Sequence, residues 1–438
     1  MSKRFLFMLC AVLACAAFVG ACGSDDDEGG GGGGDAATEE TGVTEGAKVI
    51  DPASMDGATG DVTFCLGKDT SGDKTAAIKR FNESQSEIKA DMLEFSTSAD
   101  EQRTQFVQRQ EAQSGECDVF YADVIWTAEF ASQKWIFDMT PYTQEREGDL
   151  IPATLETVNY DGKTWGMPQQ TDAGFLYYRT DQVDEPPATW QETYEVAAQN
   201  DGIVYQGAPY EGLTCNYLEL AYAAGGEILS EDGKESVIDS PENVAALQLM
   251  VDGVKDGTAA NGVTTYMEEE SRRYFESGRA TFMRNWPYAY SLGQKKGTKV
   301  SGKFQVAPFP EFEGAGKAAI LGGHNLVISQ FSENPGGALA LVDFLTSEEE
   351  QVIMFRDYSL APTIAAAYDD ASVQKEFDFA PELKESVGQA RSRPVSPLYP
   401  QVSQAIYKNV NEALAGKVSP EEALKTAQTE MQSALETF

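Results

Sequence analysis

Two carboxylates at apolar runs are the residues of this sequence best placed to do chemistry. Asp123 interrupts the apolar run 118–126, and Asp172 stands beside a second run that extends to 181. Two such acids could act as the general acid and base of a glycosidase. They could instead accept hydrogen bonds from a bound ligand, and Asp123 could also cap a helix. At this level all three interpretations stay open.

Few other residues or motifs in the sequence are suited to catalysis. His324 is the only histidine, and its position after Gly322 and Gly323 favours a loop residue over a catalytic base. The sequence contains no Gly-x-Ser-x-Gly elbow, no Cys-x-x-Cys pair and no phosphate-binding glycine loop. It therefore predicts no metal site, no cofactor and no nucleophilic catalysis.

The sequence contains more residues suited to binding a ligand than residues suited to catalysis. A sugar site combines carboxylates or arginines, which form charge-assisted hydrogen bonds, with aromatic rings that pack on the pyranose face. These residue types follow the apolar runs at Tyr177, Tyr210, Glu211, Trp286 and Arg393. Each has an ordinary structural explanation, since Trp286 alone could be a core residue and Tyr210 a surface ring. As a set they favour a sugar-binding site.

Strand-like and helix-like segments alternate in the first part of the body. The predicted elements, in chain order, are a strand at 61–67, a helix from 76, a strand at 88–95, a helix at 101–112 and a buried strand within 118–126. This alternation favours an α/β fold with a parallel, doubly wound sheet. Ligands bind at the carboxyl ends of strands in such sheets, and Asp123 falls at one of these ends.

The N-terminal segment has the pattern of an export signal. A positively charged start precedes 17 apolar residues, 5–21, which end in small residues directly before Cys22. This pattern resembles the bacterial lipobox, so we expect a lipoprotein signal peptide over 1–21 and a lipid on Cys22. A plain signal peptide or an uncleaved anchor is the alternative. Residues 22–58, rich in glycine and acids, predict a flexible tether.

Length, charge and cysteine content limit the function classes. A chain of 438 residues is too long for one ordinary core, so two domains are expected. The net charge of −37 argues against nucleic acid and against attraction to anionic lipid, and favours a neutral or cationic ligand. Three cysteines follow the lipobox, Cys65, Cys117 and Cys215. In an oxidising compartment one pair could form a disulfide, but the spacing does not say which.

Several sequence blocks, taken in order, resemble one known family. From about residue 61 to its end the chain is similar to the sugar-binding lipoproteins of ABC importers, extracellular solute-binding protein family 1, and most of all to the trehalose/maltose-binding branch. The blocks that carry the resemblance are 118–130, 171–179, 206–213, 280–288, 321–323, 344–348 and 393–395.

The resemblance implies a fold and a role. The fold is the two-lobed α/β architecture of periplasmic binding proteins (class II), with a mostly parallel sheet in each lobe and a hinge that closes on a ligand. The lobes would be 59–170 with 308–360, and 171–307 with 361–438. The role is that of a monomer, lipid-anchored outside the cytoplasm on the bacterial cell membrane, which delivers a small-molecule sugar to the transmembrane subunits of an ABC permease.

The same resemblance assigns nine residues to the sugar site, to which Tyr177 is added from the argument above. The first lobe would contribute Arg103 and Asp123. The second lobe and the hinge side would contribute Asp172, Tyr210, Glu211, Trp286 and Arg393, and the amides of Gly322 and Gly323.

Two positions depart from the family pattern. The family often has an aromatic residue directly after the Gly-Gly pair, where this chain has His324. The loop 68–73 lacks the glutamate that disaccharide binders commonly place there, and Asp69 or Asp73 could substitute for it. The identity of the sugar therefore stays open.

We expect no catalysis, and two alternatives remain. One is a secreted carbohydrate-active enzyme that uses Asp123 and Asp172. The other is a receptor of the same fold for a polyamine or another small solute. The net charge of −37 favours a cationic ligand, whereas Arg284 and Arg393 within the matching blocks oppose it.

Overall fold

The computed structural model describes residue 44 and residues 46–437. The expected signal peptide, the lipidation site Cys22 and most of the tether lie outside the described residues. The described end of the expected tether packs on the fold, since the Thr44 hydroxyl donates to Asp161 and Ile50 is buried in a core, so a flexible segment does not extend to residue 58. Within the described range, no helix combines the length and the hydropathy that a membrane span requires.

Eleven strands occur in the described part of the chain, and they form two larger sheets and one short hairpin. They are β1 (Gly60–Leu66), β2 (Ile88–Glu94), β3 (Val119–Asp123), β4 (Asn159–Tyr160), β5 (Lys163–Thr164), β6 (Met167–Ala173), β7 (Phe175–Arg179), β8 (Ile203–Val204), β9 (Phe282–Asn285), β10 (Phe304–Ala307) and β11 (Leu321–Ile328).

Sixteen α-helices accompany these strands over the same residues. They are α1 (Asp73–Ser84), α2 (Ala99–Glu111), α3 (Thr127–Ser132), α4 (Thr140–Gln144), α5 (Pro152–Glu156), α6 (Trp190–Ala198), α7 (Glu211–Ala223), α8 (Pro241–Lys255), α9 (Glu268–Glu276), α10 (Ala289–Gly293), α11 (Pro335–Leu345), α12 (Glu348–Tyr358), α13 (Ala371–Glu376), α14 (Ala380–Gln389), α15 (Tyr399–Leu414) and α16 (Pro420–Leu435).

The first sheet has the strand order β2-β1-β3-β11-β6. The predicted strands and helices of this region are confirmed as β1, α1, β2, α2 and β3, and the three strands pair in parallel. The other two strands make the sheet mixed, because β11 pairs antiparallel with both β3 and β6. The chain leaves the sheet at the end of β6 and re-enters it at the start of β11, so these two ends share one edge and the strands run in opposite directions.

Alternating side chains of the first sheet enter two separate apolar cores. On β1 and β3, Phe64 and Tyr121 point into one core, whereas Cys65 and Phe120 point into the other. Because both faces are covered, the central strands read as nearly continuous apolar runs. The charged residue that ends β3, Asp123, lies at the sheet edge, where the apolar run stops.

The second sheet has the strand order β10-β7-β9-β8 and packs against the largest apolar core. β7 pairs antiparallel with β9 and β10, while β8 pairs in parallel with β9. Only Gly174 separates β6 of the first sheet from β7 of the second. The chain therefore passes from one sheet to the other at this glycine.

One disulfide joins the first sheet to the segment that enters β3. Cys65, in β1, is bonded to Cys117, and their Cα atoms are 5.8 Å apart. The third cysteine, Cys215, is a free thiol buried in α7. The structure thus assigns the pair that the spacing left open.

Candidate ligand-binding site

A cavity of about 230 Å³ lies at the edge where β3 and β6 end and β11 begins. Its other side is closed by α7, the start of α9 and the segment after β9. Eight of the ten predicted site residues line it: Asp123, Asp172, Tyr210, Glu211, Trp286, Gly322, Gly323 and Arg393. The chain therefore brings together side chains that are up to 270 residues apart in sequence.

Asp123 caps a helix, as one of its interpretations predicted, and it also contacts Arg393 across the cavity wall. Its Oδ1 atom accepts a hydrogen bond from the amide of Ile125 at 3.2 Å, which caps a short 3-10 helix. The same oxygen accepts a hydrogen bond from Nη2 of Arg393 at 3.1 Å. Capping and a place in the cavity wall are therefore compatible.

Arg393 is the centre of a buried ionic network. Its Nη1 atom donates to Oε1 of Glu211 at 2.7 Å, and the Tyr399 hydroxyl donates to the same oxygen at 2.7 Å. Ser403 donates to the other oxygen of Glu211. Burial raises the pKa of Glu211 to about 7, against the opposing effect of the Arg393 charge. The carboxyl of Glu211 is thus poised to exchange a proton near neutral pH.

The ring of Trp286 is half-buried and is supported by the guanidinium of Arg284. The guanidinium of Arg284 lies 3.9 Å from the ring centroid, in the geometry of a cation–π contact. Arg284 in turn donates to Oε2 of Glu219 at 2.8 Å and to Oε1 of Gln206 at 3.1 Å. A Cβ atom on Gly322 would lie only 3.1 Å from the Trp286 ring, so glycine leaves room for it. The ring is therefore a supported platform on the cavity wall.

Asp172 lies on the wall that belongs to the first sheet. We expected it to come from the second lobe, but β6 continues to Ala173 and pairs Asp172 with Gly322 of β11. Its Oδ2 atom accepts a hydrogen bond from Nε2 of Gln170 at 2.8 Å. Its Oδ1 atom is buried without a hydrogen-bond partner among the described residues. Burial raises the pKa of this carboxyl to about 7, although the bond from Gln170 lowers it.

Tyr210 and Gly323 are the remaining predicted residues of the cavity wall. Tyr210 precedes the first turn of α7, and its buried hydroxyl has no partner within the described part of the chain. Gly323 has φ +120°, and a Cβ atom there would lie 2.7 Å from the Cα atom of Thr171. Only glycine fits this close approach of β11 to β6.

Arg103 and Tyr177 lie outside the cavity lining, unlike the other eight predicted site residues. Arg103 forms a two-point ion pair with Glu129 of α3, which includes a 2.6 Å bond from Nε, and so it turns along the helix surface. Tyr177 is buried in the core of the second sheet, and its hydroxyl donates to the carbonyl oxygen of Trp286 at 2.7 Å. Tyr177 thus anchors the backbone of the platform residue instead of facing the cavity.

His324 is a strand residue, so the loop interpretation was wrong. It belongs to β11, opposite Asp123 and Gln170, and its ring stacks on Tyr121 with centroids 4.1 Å apart and planes 6° apart. Burial lowers its pKa to about 4, so the ring is neutral near pH 7. The aromatic surface beside the Gly-Gly pair is therefore a Tyr121–His324 stack.

Sequence reasoning missed several residues of the cavity wall. Lys74 is buried, donates to Asp73 at 2.6 Å and lies 4.9 Å from the Tyr121 ring centroid. Gln170 lines the cavity on the same face of β6 as Asp172, so the period of two along a strand could have found it. Lys74 carries no comparable signal, because it is one charged residue in an amphipathic helix.

The loop after β1 supplies one of the two carboxylates that we considered. Asp69 lines the cavity and accepts hydrogen bonds from the Thr75 hydroxyl at 2.7 Å and the Gly72 amide at 2.9 Å. Asp73 instead holds Lys74. Among the described residues no cluster of histidine, cysteine and acidic side chains could hold a metal ion.

Comparison with known proteins identifies the family. The family described as bacterial extracellular solute-binding protein matches residues 66–352. The probable ABC transporter-binding protein of Deinococcus radiodurans is 37% identical over 341 residues, which cover 73% of this chain and 80% of that protein. The chain therefore belongs to the family of bacterial extracellular solute-binding proteins. It is a binding protein that acts outside the cytoplasm and not an enzyme, which removes the glycosidase alternative.

Solved structures agree with the two-lobed fold. The maltose-bound T. maritima MalE3 is 36% identical with a TM-score of 0.83, and the match covers 86% of this chain and 100% of that one. A solute-binding protein of Thermotoga lettingae with bound α-D-tagatose is 27% identical with a TM-score of 0.79, over 86% and 100% of the two chains. The expected two-lobed α/β fold is thus confirmed. The expectation of a mostly parallel sheet in each lobe was wrong, because β11 pairs antiparallel on both sides in the first sheet and β7 does so in the second.

Proposed function

We propose that this protein captures a disaccharide or short oligosaccharide of the trehalose or maltose kind and delivers it to the transmembrane subunits of an ABC importer. The observation that carries this proposal is the composition of the cavity wall. The Trp286 platform and the buried carboxylates Asp172 and Glu211 line one cavity. A pyranose offers an apolar face to such a ring and hydroxyl donors to such acceptors.

Two comparisons support the choice of ligand and partner. The T. maritima protein with 36% identity was solved with maltose, and the Deinococcus radiodurans relative is a probable ABC transporter-binding protein. Under this proposal the binding residues are Asp123, Asp172, Tyr210, Glu211, Trp286 and Arg393, together with the Gly322 and Gly323 amides. Asp69 would take the place of the glutamate that the loop lacks.

We further infer that the cavity is the cleft between two lobes, 59–170 with 308–360 and 171–307 with 361–438. Each proposed lobe has its own sheet, which supports the division. Because β6 belongs to the first sheet up to Ala173, the first crossing falls at Gly174 instead of between 170 and 171. A hinge at such crossings would let a ligand close the cleft.

A sugar screen tests the proposal directly. Purified protein is subjected to thermal-shift assays with maltose, trehalose, α-D-tagatose and spermidine, and each hit is measured by calorimetric titration. We expect maltose or trehalose to raise the melting temperature and to be recovered chemically unchanged. A response to spermidine alone would favour the polyamine receptor, and no response to any sugar would contradict the proposal.

We also propose that Cys22 carries a lipid that anchors the protein. The small residues before Cys22 and the glycine-rich segment after it support this anchor. Replacing Cys22 with alanine should abolish partitioning into the detergent phase. The Cys215→Ala variant is the matched control, because its thiol is buried in α7. Unchanged partitioning of Cys22→Ala, or a mature N terminus elsewhere by mass spectrometry, would contradict the anchor.

A further inference from the structure

Three side chains form a hydrogen-bonded chain along the first-sheet wall of the cavity. The Tyr121 hydroxyl donates to Oε1 of Gln170, and Nε2 of Gln170 donates to Oδ2 of Asp172 at 2.8 Å. The residues are 8%, 7% and 6% exposed, in that order, so water competes little for these bonds. This series of hydrogen bonds ends at Oδ1 of Asp172, a buried atom with no partner in the described range.

The hydrogen bonds to Tyr121 and Asp172 fix the orientation of the Gln170 amide. An amide has one acceptor end and one donor end, so a donor at Tyr121 directs the Nε2 atom toward Asp172. Tyr121 itself is held from both sides, because Lys74 lies 4.9 Å from its ring centroid and His324 stacks on it at 4.1 Å. Gln170 and Asp172 lie on the same face of β6. The carboxylate therefore has one oxygen committed to the protein and one left over.

We propose that Gln170 is a positioning residue, which holds Asp172 as an ionised acceptor with Oδ1 directed to a hydroxyl of the ligand. The inference rests on the proposed function, because it assigns Asp172 to the ligand. The physical reason is that the donor end of the Gln170 amide favours the carboxylate form of Asp172. The carboxylate accepts hydrogen bonds more strongly than the neutral acid.

The electrostatic surroundings of Asp172 come from several elements. The charged and titratable groups that influence it or are influenced by it are Arg284 of β9, Lys74 of α1, Asp123 and Tyr121 of β3, Tyr177 of β7 and Tyr368. Burial raises the pKa of Asp172 to about 7. A ligand hydroxyl that donates to Oδ1 favours the ionised form, so binding should strengthen as the pH rises through this pKa.

The first experiment needs no ligand. Carbon-13 NMR follows the Asp172 carboxyl in the wild type, in Gln170→Leu and in Gln110→Leu. Gln110 is the matched control, since it is a buried glutamine of α2 that bonds to Ser329 at 3.2 Å, outside the cavity lining. We expect Gln170→Leu to raise the pKa of Asp172, because the bond from Nε2 is lost, and Gln110→Leu to leave it unchanged. Equal titration in all three proteins would overturn the proposal.

The second experiment measures maltose affinity by calorimetry between about pH 5 and about pH 8.5, a range that spans the Asp172 titration. In Gln170→Glu two adjacent carboxylates share a proton at low pH and repel each other at high pH. We expect affinity to fall as the pH rises, by about tenfold or more, which is opposite in sign to the wild type. Tyr121→Phe keeps the ring but removes the donor, and should weaken binding without reversing the slope.

The outcomes separate this inference from the proposed function. If maltose and trehalose fail to bind the wild type, the sugar proposal fails, and the NMR titration still decides the role of Gln170. If the wild type binds maltose and Gln170→Glu keeps the wild-type slope, Gln170 does not position Asp172. The Gln110→Glu control shows the effect of burying a carboxylate elsewhere, and a reversed slope there would also overturn the inference. Thermal melts confirm that each variant is folded.

Discussion

Arg284 and Arg393 are both buried beside the cavity and both pair with a glutamate of α7, but they differ in where their other contacts lie. Arg284 bonds to Glu219 and Gln206 and supports the Trp286 ring, all in or around the second sheet. Arg393 bonds to Glu211 and also reaches Asp123 at the end of β3 in the first sheet. One arginine stays on one side of the cavity, and the other joins its two sides.

The two arginines differ in whether a hinge motion can change their contacts. The Arg284 pair is surrounded by the packing of one core, so it is a fixed support. The bond from Arg393 to Asp123 connects elements that an opening cleft would separate, and so does the 3.0 Å bond from the Glu211 amide to Asp100 of α2. We therefore expect mutations at the first arginine to act on stability and mutations at the second to act on ligand response.

The largest effect is expected from Glu219→Gln. Glu219 is fully buried, and its loss leaves the Arg284 charge without a full counter-ion, which should lower the free energy of unfolding by about 3 kcal/mol or more. Urea melts measure it. Glu227→Gln is the control, because the Glu227–Arg391 pair is exposed and should contribute less than about 1 kcal/mol. Similar losses in both variants would remove the distinction between fixed support and surface pair.

Trp286→Ala should act on affinity more than on stability. It removes the apolar surface under one sugar ring, which should cost about 1 to 3 kcal/mol of binding free energy, or about a 5- to 150-fold rise in Kd. Calorimetric titration with maltose beside a thermal melt tests this. A sharp fall in melting temperature with unchanged Kd in the folded protein would show that Trp286 is a core residue and not a platform.

Asp123→Asn should weaken the link between the two sides of the cavity. Asp123 is part-exposed, so water replaces some of the lost contact, and we expect about 1 kcal/mol, or about a fivefold change in maltose Kd. Small-angle scattering should show a larger ligand-free radius of gyration than in the wild type, and a decrease when maltose is added. Asp181→Asn, which breaks the Arg179–Asp181 pair away from the cavity, should change neither quantity. The same result for both variants would contradict the cross-cavity role.

The last effect is a pH slope that depends on Glu211. Burial raises its folded pKa to about 7 from an ordinary value of 4.5, so the folded protein binds more protons than the unfolded chain between these values. The stabilisation is complete below about pH 4.5 and is lost as the pH rises through 7. Urea unfolding of the wild type and Glu211→Gln at several pH values should give a stability difference that declines with rising pH. A difference that is independent of pH would show that Glu211 has no raised pKa.

Much of the fold could be predicted because it depends on local patterns. The apolar runs and helical periodicity located β1, α1, β2, α2 and β3 within a few residues. The mixed parallel and antiparallel pairing of the first sheet could not be predicted from the sequence. β11 lies more than 140 residues after β6 and pairs with it only because the chain returns to the first sheet. The cysteine pair has the same origin, since β1 brings Cys65 beside Cys117.

The site was predicted to the extent that its residues stand in recognisable blocks. Eight of ten predicted residues line the cavity, and their contact with a ligand stays a prediction. Arg103 lies outside the lining because its side chain pairs with a nearby acid, Glu129. Lys74 and Gln170 were missed because their importance lies in what they contact, and those contacts come from other strands.

Residue type, periodicity and block order are local properties of a chain, and they were enough to predict an α/β binding protein with aromatic rings and carboxylates at its strand ends. The folded arrangement was needed to show that Asp172 belongs to the first sheet, that His324 stacks on Tyr121 and that Arg284 and Arg393 have different contacts. Those facts depend on which side chains meet after folding, and burial then sets their charges.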